Sequence, residues 1–281
     1  MADTFGEVRV PTHDWLYYRI HVADPAGMQE LLERVVRPAL ARLRDEVPEL
    51  RWFFLQFMDV SGLHLRLRLN ARQASLIHVE STLEGLLPSV RHRGVTKHVY
   101  APETHKFGEG EGMRLAERIF EHGSEAALAC LGPRQRSLRT AYAATHMTLM
   151  LAPLEPRLRR TFLHQYAWYW SGGPLLRGRL PHGGAAIPDA PARSARLLAQ
   201  IEWVLSDPGA RSVLTGYAEA CRRELCSRTR MHIPRTDSFL LFHHIHLMNN
   251  RLSVVPSEEA QLARFLWLAD DALPNAAEVT V

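Results

Sequence analysis

Residues 63–70 read LHLRLRLN, an alternation of apolar and polar side chains with period two, and it constrains the fold more than any other stretch of the chain. Successive side chains of a strand project to opposite faces, so Leu63, Leu65, Leu67 and Leu69 line one face and His64, Arg66, Arg68 and Asn70 the other. The leucine face calls for a core on that side. Residues 15–22, 51–58 and 95–100 are rich in aromatic and β-branched residues or alternate in the same way, which predicts three more strands in one sheet. Residues 28–47 and 75–87 repeat apolar positions at helical spacing and stop before Pro48 and Pro88, so helices should connect the strands.

From residue 113 the pattern turns helical, with segments predicted at 113–130, 134–151, 157–170, 191–206, 209–227, 237–252 and 257–270. Residues 171–191 hold five glycines and four prolines and read either as a long loop able to act as a mobile lid or as a plain linker. The expected class is α+β: a mixed, largely antiparallel sheet from the N-terminal third packed against a mainly helical C-terminal part, in a single domain over 1–281.

Composition removes several classes of function. Hydrophobic residues make up 46% and charged residues 23%, enough to bury a core and too apolar for disorder. The +4 formal charge comes from scattered arginines, which reads as a solvated surface, so direct nucleic-acid binding is not expected. No apolar run is long enough to span a membrane, and the opening MADTFGEVRVPTHDW lacks a basic stretch before an apolar one, which disfavours export. Three cysteines, Cys130, Cys221 and Cys226, are an odd number, and a cytoplasmic, reducing setting is the simpler expectation.

Three segments carry residue types suited to chemistry. The polar face of 63–70 offers two guanidinium groups and an imidazole about 7 Å apart in succession, an array suited to a carboxylate or phosphate; a merely solvated face has the same pattern. In HHIHLMNNRL, residues 243–252, helical spacing puts His243, His246, Asn249 and Asn250 on one stripe with Arg251 beside it. An imidazole there could serve as a base in a cavity or simply sit on a helix surface. His243 and His246 could also share zinc, but no third ligand has motif spacing. The third segment, residues 99–124, runs from a strand end through a turn with Gly108, Gly110 and Gly112 into an amphipathic helix. Those glycines allow a sharp bend or a close approach to a ligand, and the GK[ST] ending of a phosphate loop is missing.

Taken in order, these segments resemble the C-terminal elimination domain of the lantibiotic dehydratases and the related thiopeptide-type bacteriocin biosynthesis proteins. WLYYRIHV (15–22), WFFLQFMD (52–59) and the His-x-Arg-x-Arg of His64, Arg66 and Arg68 resemble the family's first strands. Tyr100, Pro102, Glu103, Lys106, Phe107 and Gly108 resemble its Tyr-x-Pro-Glu and Arg-Tyr-Gly-Gly turn, followed by an Ala116, Glu117, Phe120 helix. His246 with Asn250, Arg251 and Leu252 resembles its last landmark, so the likeness runs from Trp15 to Leu252. Two positions depart from the pattern. Lys106 stands where the family has arginine, keeping the charge but losing the bidentate fork, and Glu109 replaces the second glycine.

The resemblance implies a tailoring enzyme for a ribosomally made peptide that expels glutamate from glutamylated serine or threonine to leave a dehydroamino acid. His246, Arg66 and Arg68 would be catalytic; His64, Lys106, Glu103, His243, Asn250 and Arg251 would bind substrate. It implies no cofactor and no metal. The partners would be a precursor peptide, core and leader, and a separate glutamyl-tRNA-dependent glutamylation enzyme, because the chain has no room for that domain. Two alternatives stay open. One is pyridine synthesis, a formal aza-[4+2] cycloaddition of two dehydroalanines with loss of the leader, against which no tyrosine occurs in 243–252. The other is a scaffold that binds the peptide without turnover.

Overall fold

The computed structural model describes residues 13–132, 138–172, 189–228, 233, 235–270 and 273. Its contacts divide the chain into two compact units, Met1–Ala101 and Pro102–Val281.

The first unit runs β1 (His13–His21), α1 (Pro25–Leu31), a π-helical turn (Leu32–Val36), α2 (Arg37–Glu46), β2 (Arg51–Asp59), β3 (Gly62–Arg72), α3 (Gln73–Leu86) and β4 (Gly94–His98). The strands lie in the order β2-β3-β1-β4 and every pairing is antiparallel, the split βαβ arrangement of two βαβ halves sharing one sheet. Leu65, Leu67 and Leu69 of β3 are buried, together with Tyr18 and Ile20 of β1, Val79 and Leu83 of α3, and Leu40 and Leu43 of α2. Leu63, at the hairpin end, is only half-buried. The helix expected over 28–47 is interrupted at Leu32–Val36, where Pro38 has no N–H to return to the preceding turn and the chain widens into a π-turn. Asp24 starts α1 by accepting the N–H groups of Ala26 and Gly27, both at 2.9 Å.

The second unit is helical: α4 (Thr104–Phe107), α5 (Glu111–Cys130), α6 (Arg139–Leu151), α7 (Pro156–Trp170), α8 (Ala190–Ser206), α9 (Pro208–Ser227), α10 (Asp237–Arg251) and α11 (Pro256–Leu268). Proline occupies the first helical position of α7, α9 and α11, where its missing N–H costs nothing, and the side chains of Asp207 and Thr236 cap α9 and α10. Packing of α11 on α7, α5 on α9 and α10 on α5 and α6 builds the core. A buried ion pair, Arg159 Nε to Asp270 Oδ1 at 2.6 Å, ties α7 to the turn after α11. Residues 134–137 of the helix expected at 134–151, and residues 173–188 of the glycine- and proline-rich segment, lie outside the described residues; residues 190 and 191 already belong to α8.

Candidate active site

The strand register fixes what shares a face with the β3 arginines. Arg68 lies opposite Tyr17 of β1 and Phe53 of β2, Arg66 opposite Arg19 and Leu55, and His64 opposite His21 and Phe57. On β1, Tyr17 and Arg19 are flanked in turn by His98 and Thr96 of β4. This face thus brings together the guanidinium groups of Arg19, Arg66 and Arg68 with the imidazoles of His21, His64 and His98, and Arg51 and Arg72 lie on the same face further along the strands.

This face is not a freely solvated one. His64 is fully buried and Arg68 retains only 8% of its surface. The Arg68 guanidinium sits 4.4 Å from the Tyr17 ring centre, 5.1 Å from Phe53 and 5.2 Å from Tyr100, a three-sided aromatic enclosure that favours a flat, weakly hydrated cation. Arg66 stacks 3.4 Å over Phe57, and its Nε donates to His64 Nε2 at 3.2 Å. His64 Nδ1 lies 3.0 Å from the Gly62 carbonyl. A carbonyl only accepts, so Nδ1 carries the proton and Nε2 offers its lone pair to Arg66. Burial foremost lowers the His64 pKa below the usual imidazole value, in keeping with a neutral ring. His64 therefore aims Arg66. Arg19 and His21 escaped the sequence reading, although 17–21 alternate just as β3 does.

In the second unit, α10 brings His243, His246 and Asn250 to a half-buried stripe, while Asn249 turns fully inward. His246 Nδ1 is 2.9 Å from Glu259 Oε1 and 3.2 Å from Oε2, and the Trp170 ring stacks on the imidazole with centroids 4.0 Å apart and planes 19° apart. Glu259 is wholly buried. Its Oε2 accepts from the Tyr166 hydroxyl and from Asn249 Nδ2 at 3.2 Å, and Asn249 Oδ1 in turn meets His146 Nε2 at 2.8 Å. Burial first, and the Glu259 charge second, hold the Tyr166 hydroxyl well above its ordinary pKa, so it stays a donor. No described residue hydrogen-bonds His246 Nε2.

His243 lies edge-on to Phe239 at 4.5 Å; burial, reinforced by the Lys106 charge, lowers its pKa to about 4, which keeps it neutral near pH 7. Lys106 pairs with Glu103 at 3.2 Å on the exposed surface of α4, and the Arg235 side chain holds that turn by donating to the carbonyls of His105 and Lys106. Arg251 is placed elsewhere: only 1% exposed, it donates to Ser124 Oγ at 3.0 Å and lies over Phe120, and Gly123 leaves room for its guanidinium. The backbone itself requires the turn glycines. Gly108 and Gly110 have φ of +90° and +55°, and a Cβ on Gly112 would fall 2.4 Å from the Phe107 carbonyl oxygen. Among the described residues no group of three potential ligands could hold a metal. The thiols of Cys130 and Cys221 are pushed up to about 12 by burial, so neither supplies a thiolate.

His244 also occupies α10. It is fully buried between Phe107 and Phe120, and neither ring nitrogen has a partner among the described residues. Burial, then the Arg251 charge, lower its pKa to about 3. Between pH 6.5 and 3 the unfolded chain binds a proton that the folded chain refuses, so stability falls as pH drops below 6.5. His244→Leu removes that proton uptake by the unfolded chain. The stability of the variant relative to the parent should rise by about 2 kcal/mol between pH 8 and pH 5, as read from urea melts at the two values; an unchanged difference would contradict a neutral His244.

A sheet face carrying clustered cations and, in a separate helical unit, an imidazole paired to a buried carboxylate distinguish this α+β chain. A family model described as "Lantibiotic biosynthesis dehydratase C-term" matches residues 15–269, across both units, and the chain belongs to that family. Among solved structures it superposes on the tRNA-dependent lantibiotic dehydratase MibB from Microbispora sp. 107891 with TM-score 0.63 and 22% identity, covering 94% of this chain and 28% of MibB. It superposes on TbtD, a pyridine synthase from thiomuracin biosynthesis, with TM-score 0.65 and 17% identity, covering 92% of this chain and 98% of TbtD. For TsrL the values are 0.62 and 17%, with 95% and 98% covered. At these identities the superpositions establish the fold. No curated protein sequence matches the chain. No described helix is long and apolar enough to cross a membrane.

Proposed function

We propose that this protein tailors a ribosomally made precursor peptide by eliminating glutamate from glutamylated serine or threonine, working as one elimination domain across both units and alongside a separate glutamyl-tRNA-dependent enzyme. The observation that carries this reading is the His246–Glu259 pair. A carboxylate accepts only, so His246 Nδ1 donates to it and Nε2 keeps a lone pair with which to take a proton.

In the reaction, His246 Nε2 removes the α-proton of the glutamylated residue. The C–H electron pair becomes the Cα=Cβ bond, and glutamate departs with the electron pair of the Cβ–O bond as a free carboxylate. Negative charge builds first on the carbonyl beside Cα and then on the leaving group. Arg66 and Arg68, held in place by rings and by His64, are suited to meet it before it forms, and preorganised cations lower such a barrier more than mobile ones do. His243, neutral, the Glu103–Lys106 pair and Asn250 would contact the peptide. Arg251, given its burial, would support α10 from within.

The similarity to TbtD over 98% of its length keeps pyridine formation as a second reading. Purified protein mixed with a serine-glutamylated precursor peptide should release glutamate and leave a product lighter by the mass of one glutamic acid, seen by mass spectrometry. Conversion of a peptide bearing two dehydroalanines to a macrocycle and free leader would select the cycloaddition instead, and binding without turnover of either peptide would select the scaffold.

A further inference from the structure

The chemistry of His246 depends on a residue thirteen positions away, on the next helix. Glu259 shows no surface, yet three donors converge on its carboxylate: the Tyr166 hydroxyl, Asn249 Nδ2 and His246 Nδ1. A protonated carboxyl would have to use one of its oxygens as a donor, whereas the Asn249 amide NH2 can only donate to it. The arrangement suits the ionised form. Burying a charge is costly unless hydrogen bonds surround it, and two of the three donors here come from residues that do not touch the reacting face. Trp170, stacked at 4.0 Å, stops the imidazole ring from turning over.

We infer that Glu259 is the positioning residue for His246: it fixes the ring as the Nδ1–H tautomer, directs the lone pair to Nε2, and steadies the imidazolium once the proton has arrived, while Tyr166 and Asn249 hold the carboxylate. The tautomer claim stands on the hydrogen bonds alone; its kinetic consequence rests on the elimination reading. A buried carboxylate behind a proton-transferring imidazole acts by holding tautomer and orientation without itself taking up the proton. Glu259→Gln keeps the shape but replaces one oxygen with an NH2, which can donate to Nδ1 and so favours the opposite tautomer.

Two readouts separate the claims. With 15N-histidine labelling, and His246→Asn to assign the ring among the fifteen histidines, the parent should show His246 with Nδ1 protonated and Nε2 bare at a pH where the ring is neutral. Glu259→Gln should shift the population toward Nε2–H, and Glu259→Asp should retain part of the parent signature. On a glutamylated peptide, Glu259→Gln should lower kcat roughly 10–100-fold with little change in KM. A parent ring already in the Nε2–H form, or a Gln variant with parental ring signal and kcat, overturns the inference. The expected ring signals with no glutamate released by the parent leave the positioning role standing and overturn the elimination reading. Should the Gln variant fail to fold, the parent signal still decides, and Tyr166→Phe, which removes one carboxylate anchor, should give a smaller shift in the same direction.

Discussion

His246→Ala should lower the rate of glutamate release about 10³-fold, the largest loss expected from any single substitution in this protein. Alanine removes the lone pair that receives the α-proton and leaves the Glu259 carboxylate buried with one donor fewer. Two features make the loss specific. His246→Gln keeps a donor toward Glu259 while abolishing the proton acceptor, so it should restore the melting temperature but not turnover. His243→Ala, which removes a ring that is neutral near pH 7 because burial and Lys106 lower its pKa to about 4, should change KM more than kcat. Single-turnover measurements on one peptide, with glutamate quantified, check all three. A His246→Ala variant within a few-fold of the parent would end the assignment of this imidazole as base.

Much of the architecture was legible because its signals are local. The four expected strands fall within two residues of where alternation and aromatic or β-branched content put them, and α7, α9 and α11 start one residue before the expected positions, at a proline in each case. What stayed hidden depended on the third dimension. The four-residue helix α4 is too short for periodicity to register. Glu259 reads locally as one of two acidic residues in the first turn of a helix, an ordinary partner for the helix dipole. Yet it shares a stripe with Leu262, Ala263 and Leu266, all buried; a charge on an apolar stripe signals a buried partner, and that spacing was available in the sequence. Arg159, on the stripe of Phe162, Leu163 and Tyr166, carries the same signal and has the same answer in Asp270. On α10 the signal was blurred because the helix is buried on several sides, so inward-turned His244 and Asn249 and half-exposed His243 and His246 alternate within a few residues.

Arg68→Ala should cost about 10²–10³-fold in kcat/KM for the glutamylated peptide, the usual consequence of deleting one preorganised donor to a developing anion. The enclosure around this side chain makes the lysine substitution informative. Tyr17, Phe53 and Tyr100 surround the guanidinium at 4.4, 5.1 and 5.2 Å, a setting in which a compact, strongly hydrated ammonium loses both its stacking surface and its water. Arg68→Lys should therefore recover less than a tenth of the lost activity, although the formal charge is unchanged. Arg66→Lys should recover more, because Arg66 keeps 19% of its side-chain surface and has Asp59 within 3.7 Å. The His64 lone pair it receives from β3 can be met by an ammonium as well as by Nε. If Arg68 instead only braces the sheet, Arg68→Ala and Arg68→Lys will lower the melting temperature and leave kcat/KM of the folded fraction intact. A cycle with His246→Ala completes the test: groups serving one chemical step give losses well short of additive, so the double variant should be scarcely slower than His246→Ala alone, and full additivity would assign the arginine and the imidazole to separate events.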